Sequence, residues 1–282
     1  MAAARTVPAA HGLRWLREGL ELFAMSPAVW IGISVLFLLM GVVLSAIPFA
    51  GMLWTVAIPI HGGGLMLGCH ALRHGRPLEV RHLFNGFEQP RVQALAIIGC
   101  LYLAGSIAII LPLVVLMVGG TFFSAMLLGA NPSPASAMFA VGLAGLFVLI
   151  MTAAVLALAM AIWFAPALVV FRGLEAVDAM KISARAAWQN TLAFVMYSLA
   201  TMVLGAVIIA PLIGAVVLVA ARGQDQSGPV AAVTIGGTLL FAVLCMFLLM
   251  PAAWGAMYAS YRDVFGEDDA LIPLQPAASP VR

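Results

Sequence analysis

Six stretches of this chain, at roughly 28–48, 50–72, 91–118, 138–171, 191–221 and 230–262, hold no Asp, Glu, Lys or Arg in their central parts. A helix needs about 20 predominantly apolar residues to cross a bilayer, and each stretch is long enough. A membrane β-barrel would instead need short segments alternating between apolar and polar, and these runs are apolar on every side. The expected fold is therefore all-α: a polytopic membrane protein of about six transmembrane helices.

Composition agrees. The 282 residues are 64% hydrophobic and 9% charged, against about 25% charged in soluble domains. A net charge of +2 spread over the chain offers nothing to nucleic acid. The opening "MAAARTVPAAHGLRWLREGLELF" is broken by Arg14, Arg17, Glu18 and Glu21, so we read it as mature protein rather than as a secretory signal. Cys69, Cys100 and Cys245 lie in apolar runs without paired spacing and read as buried, inert thiols.

Orientation follows from the cations, because Lys and Arg gather on the cytoplasmic side. With the N-terminus inside, all but one of the 13 fall there, and Arg222 alone lies outside. Both termini are then cytoplasmic. Of the outer connections, "PFAG" is a tight turn, "GGTFFSAMLLGANPSPASA" is uncharged, and "ARGQDQSGP" carries one Arg and one Asp. The tail beyond Tyr261 is acidic and proline-rich and reads as a short disordered end, with the membrane domain at 1–265 and the tail at 266–282.

Three helix starts resemble one another: "EGLELFAMSPAVWIGISVL", "RHLFNGFEQPRVQALAIIG" and "ISARAAWQNTLAFVMYSLA". Ser26 with Pro27, Gln89 with Pro90, and Asn190 supply capping signals. Pro27 to Pro48 is 21 residues, Pro90 to Pro112 is 22 and Asn190 to Pro211 is 21, so these prolines are expected at equivalent outer ends. Pro59, Pro166 and Pro251 follow in the second helix of each pair, ahead of Arg73, Arg172 and Arg262. The reading is three units at about 10–75, 76–173 and 174–265, each an interfacial helix followed by two spans. Prolines inside spans must face protein, where neighbours can satisfy the freed carbonyls.

Two segments have the pattern of helices lying in the headgroup layer. One places Leu13, Leu16, Leu20 and Phe23 on its apolar side, and the other Val177, Met180, Ala184 and Trp188. Trp15, Trp30 and Trp188 fall at the inner interface as an aromatic belt would. "FAPALVVFRGLEAVDAMKISARAAWQN", with its Ala-Met-Lys-x-Ser, and "GGGLMLGCHALRHGRPLEVRHLFNGF" resemble a family of uncharacterised proteobacterial multi-pass inner-membrane proteins over residues 5–265. The resemblance implies an inner-membrane location and brings no assigned activity with it. A weaker similarity is to the membrane domain of some glycerophosphodiester phosphodiesterases, whose catalytic domain has no counterpart here.

The spans offer little chemistry. "HExxH" and "GxSxG" do not occur, and Ser106, Ser198 and Thr201 are hydroxyls without a base at hand. His61, after Pro59 and before Gly62, Gly63 and Gly64, marks a place where a helix could loosen and open a cavity. The bland alternative is a neutral imidazole bonded to a carbonyl freed by Pro59. His70 and His74 share a helix face at i, i+4, but no carboxylate stands at zinc-ligand spacing, so neither metal nor cofactor is expected.

Arg73, Arg76, Arg81, Arg91, Lys181 and Arg185 gather at the inner face and are candidate contacts for anionic lipid headgroups, with topology their simpler role. Membrane lipids are thus the expected partners. A non-enzymatic scaffold or lipid-associated envelope component is the leading reading. The alternative is a channel or transporter for a neutral or apolar solute. A cavity reaching His61 would favour transport, and a closed bundle the scaffold.

Overall fold

The computed structural model describes residues 4–128, 133–221 and 229–266. Among them are nine α-helices and one 3₁₀ turn, with no strand. In chain order these are α1 (His11–Met25), α2 (Pro27–Ser45), α3 (Ala50–Arg73), the 3₁₀ turn Val80–Leu83, α4 (Val92–Leu128), α5 (Pro134–Trp163), α6 (Ala165–Arg172), α7 (Ala176–Gln189), α8 (Thr191–Ala221) and α9 (Pro229–Phe265). The loop sites Asn131, Pro132, Arg222 and Asp225, and the tail from Glu267, lie outside the described residues.

By length and composition five helices of the described part can cross a bilayer: Pro27–Ser45, Ala50–Arg73, Val92–Leu116, Met138–Arg172 and Thr191–Pro211. The chain is an all-α polytopic membrane protein. Helix α9, 37 residues long, carries the sixth apolar stretch.

α3 packs on α4, α6, α2 and α9, so it runs through the middle of the bundle. The short elements α1, α6, α7 and the 3₁₀ turn collect at one end with the C-terminal ends of α3 and α9, an end called the base below. There the core is dense: Trp15, Trp30, Leu65, Leu168 and Tyr258 are fully enclosed.

α1 packs on α9 and α8, and its inward face differs from the apolar stripe of the sequence. Gly12, Trp15, Gly19 and Leu22 are buried, whereas Leu13 is exposed and Leu16, Leu20 and Phe23 are only partly covered. Glycine decides this. A Cβ on Gly19 would sit 2.2 Å from the Ala252 carbonyl oxygen, so only a residue without one lets the backbones of α1 and α9 touch. α7 is rotated in the same way. It buries Ala176, Ala179, Ser183, Ala186 and Ala187 and turns Val177 and Trp188 outward. Trp15 and Trp30 therefore lie inside the protein, and Trp188 alone of the three faces out.

The capping expectations are partly overturned. Pro27 does open α2, but the Ser26 side chain makes no cap bond. Asn190 is buried, and its side chain reaches back to the N-terminal segment rather than capping α8. Pro112 and Pro211 do not mark outer helix ends: α4 continues to Leu128 and α8 to Ala221. Pro48 alone of the three sits in a turn. Cys69 is buried, but Cys100 is exposed and Cys245 half-buried, so a common buried environment does not hold.

Pro59, Pro166 and Pro251 are all buried against protein. Just ahead of Pro166, at the Phe164–Met160 pair, the compensation for the helix break is visible atom by atom. The chain breaks between α5 and α6, and the Ser183 hydroxyl enters the gap, accepting from the Phe164 N–H at 3.0 Å and donating to the Met160 carbonyl at 2.7 Å. Those two backbone groups would have bonded each other in an unbroken helix, so one hydroxyl satisfies both ends of the opened ladder.

Candidate functional site

His61 sits on α3 and is completely enclosed. Its Nδ1 lies 2.8 Å from the Leu83 carbonyl oxygen, so Nδ1 carries the proton and donates. That carbonyl belongs to the 3₁₀ turn and is not one freed by Pro59. Four aromatic rings close round the imidazole: Phe87 at 5.2 Å, Trp54 at 5.3 Å, and Phe37 and Phe84 at 5.8 Å between centroids.

Gly62, Gly63 and Gly64 are buried with it and open no cavity. A Cβ on Gly62 would meet the Trp254 ring at 3.0 Å, and one on Gly63 would meet Val170 at 2.9 Å. At Gly64 it would lie 2.3 Å from the His82 carbonyl oxygen. The glycines close the helix onto its neighbours, so the loosening expected at His61 is replaced by backbone contact.

The polar groups that the structure does bring together lie at the base, and Asp263 is their centre. The C-terminal end of α9, read in the sequence as the start of a loose tail, is helical, and Val264 and Phe265 are buried. Asp263 accepts from Trp15 Nε1 at 2.8 Å, contacts His11 Nδ1 at 2.8 Å and pairs with Arg14. Glu18 in turn lies 3.4 Å from Arg14 and 3.6 Å from Arg262. Burial by itself pushes the Asp263 carboxyl up, but the bonds from Trp15 and His11 and the Arg14 charge outweigh it and hold its pKa below the ordinary value.

Two further ties lock the chain ends here. Asn190 accepts from the Val7 N–H at 2.8 Å and donates to the Arg5 carbonyl at 3.0 Å and the Ala186 carbonyl at 2.9 Å. Arg172 donates to the Phe265 carbonyl at 2.8 Å and lies over its ring at 5.1 Å. The sequence signal for Asp263 was a carboxylate just after the last apolar residue, facing an Arg and a Trp whose distance in sequence hid the pairing.

The candidate lipid-contacting cations are all exposed. Arg91 pairs with Glu175, and Arg81 with Glu79 at 2.9 Å. Among the described residues Arg73, Arg76, Lys181 and Arg185 form no ion pair. His70 lies 3.1 Å from the Tyr258 hydroxyl and stacks near His74 at 4.1 Å between centroids. No group of three or more potential metal-ligating side chains comes together among the described residues.

A bundle of long apolar helices whose ion pairs, among the described residues, gather at one end defines an integral, multi-pass membrane protein. Residues 88–261 match the model of a domain of unknown function, DUF7847, and the chain belongs to that family. Over 278 residues, 97% of this chain and 97% of the other, it is 28% identical to a probable inner membrane protein of Burkholderia thailandensis. No solved structure matches.

Proposed function

We propose that the protein is a non-catalytic, lipid-associated component of the bacterial inner membrane, crossing it six times with both termini and the base in the cytoplasm. The observation that carries this reading is the closure around His61, where rings and glycine contacts fill the place at which a cavity was expected. That closure supports a structural role over a pathway for a neutral solute. The relative's printed name supports the inner-membrane placement, and the cations at the base agree with a cytoplasmic face.

The division into three units belongs to the same proposal. Helices α1 and α7 each precede a pair of long helices, and the 3₁₀ turn precedes the pair α4 and α5. Because α1 packs across α8 and α9, the first unit also closes onto the last.

At the base, Arg73, Arg76, Lys181 and Arg185 are the cations best placed to hold anionic headgroups, each worth about 1 kcal/mol near an anionic leaflet. Arg81 and Arg91 contribute less, being offset by Glu79 and Glu175. Reporter fusions after residues 80 and 180 should read as cytoplasmic, and those after 130 and 225 as periplasmic. Replacing Arg73, Arg76, Lys181 and Arg185 together by Gln should then reduce the phosphatidylglycerol retained in native mass spectra while insertion is unchanged. Retention equal to that of the wild type would leave these cations a topological role only.

A further inference from the structure

A cavity of about 390 Å³ lies between α3, α4, α5 and α9, and His61 is not part of its lining. Its deep end is lined by Pro59, inside the continuous helix α3, by Pro166, just after the break between α5 and α6, and by Trp254. Both prolines are buried. Its other end includes Ile110 of α4 and Val155 of α5, which are 55% and 50% exposed. Those two helices span the bilayer, so the mouth faces hydrocarbon.

No charged side chain lines the space, and Tyr102 and Ser106 bring its only hydroxyls. Ordered water needs about 2–4 polar partners, and apolar cavities of about 150 Å³ already stay dry and take up small hydrocarbons. The volume falls in the range of ligand pockets, about 300–1,000 Å³. A carboxylate or a phosphate placed here would find no cation. An alkyl chain meets a lining that is almost wholly apolar.

We propose that this cavity holds one acyl chain of a bilayer phospholipid, which enters sideways between α4 and α5 and ends against Pro59 and Pro166, its headgroup remaining outside. The mouth opens onto the surface where acyl chains are the solvent, so no step out of the membrane is needed. The site rests on α3, α4 and α5 spanning the bilayer and not on the headgroup contacts at the base, so either can fail alone.

The test uses two reporters already in the lining, Trp163 and Trp254. The full chain is placed in nanodiscs of phosphatidylcholine brominated midway along its acyl chains, and tryptophan fluorescence is compared with that in unbrominated discs. W163F and W254F assign the share of quenching due to each indole. Both should be quenched in the wild type. Ala159→Phe, which fills the cavity, should lower their quenching by half or more and leave the remaining tryptophan signal unchanged. Leu158→Ala, which widens the cavity, should raise it and serves if the larger residue prevents folding. Unquenched Trp163 and Trp254 in the wild type would overturn the proposal, as would quenching indifferent to both substitutions. So would a co-purifying isoprenoid that keeps the brominated lipid from quenching.

Discussion

The base of the bundle and the far ends of its helices obey different rules, although one chain of nearly uniform hydrophobicity builds both. At the base, side chains interlock and backbones touch at Gly12, Gly19, Gly64 and Gly86. In the far halves of α5 and α8, Val141, Leu149 and Val207 are well over half exposed, and Gly142, Gly145 and Gly205 have open space beside them. In water such surface would be a severe liability; against lipid tails it costs little, because the solvent is as apolar as leucine. Hydrophobicity thus places the helices in the membrane, and small residues with buried polar contacts hold the fold together. The teaching is that specificity here resides at one end.

The sharpest way to break that contrast is to add the same side chain at both ends. Gly19→Leu would drive a side chain into the backbone of α9 at Ala252 and Ala256, which cannot swing away. Overpacking typically costs about 1–3 kcal/mol, and a backbone obstacle places this change at or above the upper limit. Gly142→Leu meets nothing, and its unfolding midpoint in the same detergent should match the wild type. Equal losses at both positions would refute the division between the two regions.

Next comes Asn190, whose amide ties the N-terminal segment to α7. Asn190→Ala leaves the Val7 N–H and the Arg5 carbonyl without their partner. An abandoned polar group costs about 1–3 kcal/mol when buried and less when only partly covered, as these two are, so their joint loss is placed in the middle of that range. We expect a loss of about 2 kcal/mol, together with faster hydrogen exchange confined to residues 4–12. Exchange that rises uniformly along the chain would mean that Asn190 acts otherwise.

A smaller effect is expected at the helix break. Ser183→Ala removes the hydroxyl that serves Phe164 and Met160 and should cost on the order of 1–2 kcal/mol. The double change with Pro166→Ala lets the ladder close, so it should be less harmful than the sum of the two single changes. Strict additivity, read from denaturant unfolding, would separate the serine from the proline.

How much of this was legible beforehand depends on which signals are local. The spans were readable from apolar length, and the inward facing of Pro59, Pro166 and Pro251 followed from the carbonyls they release. The face of α1 was not. The apolar stripe reads as the side toward the headgroup layer, which leaves the side toward protein unread: α1 docks through Gly12 and Gly19, whose lack of a side chain hides them from any hydrophobicity pattern. Asn190 and Asp263 were misread for another reason. Each looks like a local feature, a helix cap and the start of a tail, and becomes a structural tie only when Val7, His11, Arg14 and Trp15 return to meet it. His61 was singled out as a candidate, but the glycines beside it read equally as room or as contact until their neighbours were known.

The smallest expected effect is a pH dependence at the base. Asp263 has its pKa lowered below 3.8 in the folded protein, because the bonds from Trp15 and His11 and the Arg14 charge together exceed the penalty of burial. The unfolded chain then binds a proton more readily than the folded one, so stability contributed by this group is complete above its unfolded value and is lost as pH falls through the folded one. Thermal unfolding in detergent should therefore weaken on acidification below about pH 4, near the carboxylate reference value. Asp263→Asn keeps a hydrogen-bond acceptor for Trp15 but cannot titrate, and it should flatten that acid limb while lowering stability at neutral pH, where Arg14 keeps Glu18 but loses the closer of its two carboxylates. The far ends carry no such group among the described residues, so Gly142→Leu should keep the wild-type acid profile. If the Asn variant declines in acid as steeply as the wild type, the protons are taken up elsewhere, and Asp263 is not the group that ties the acid response to the base.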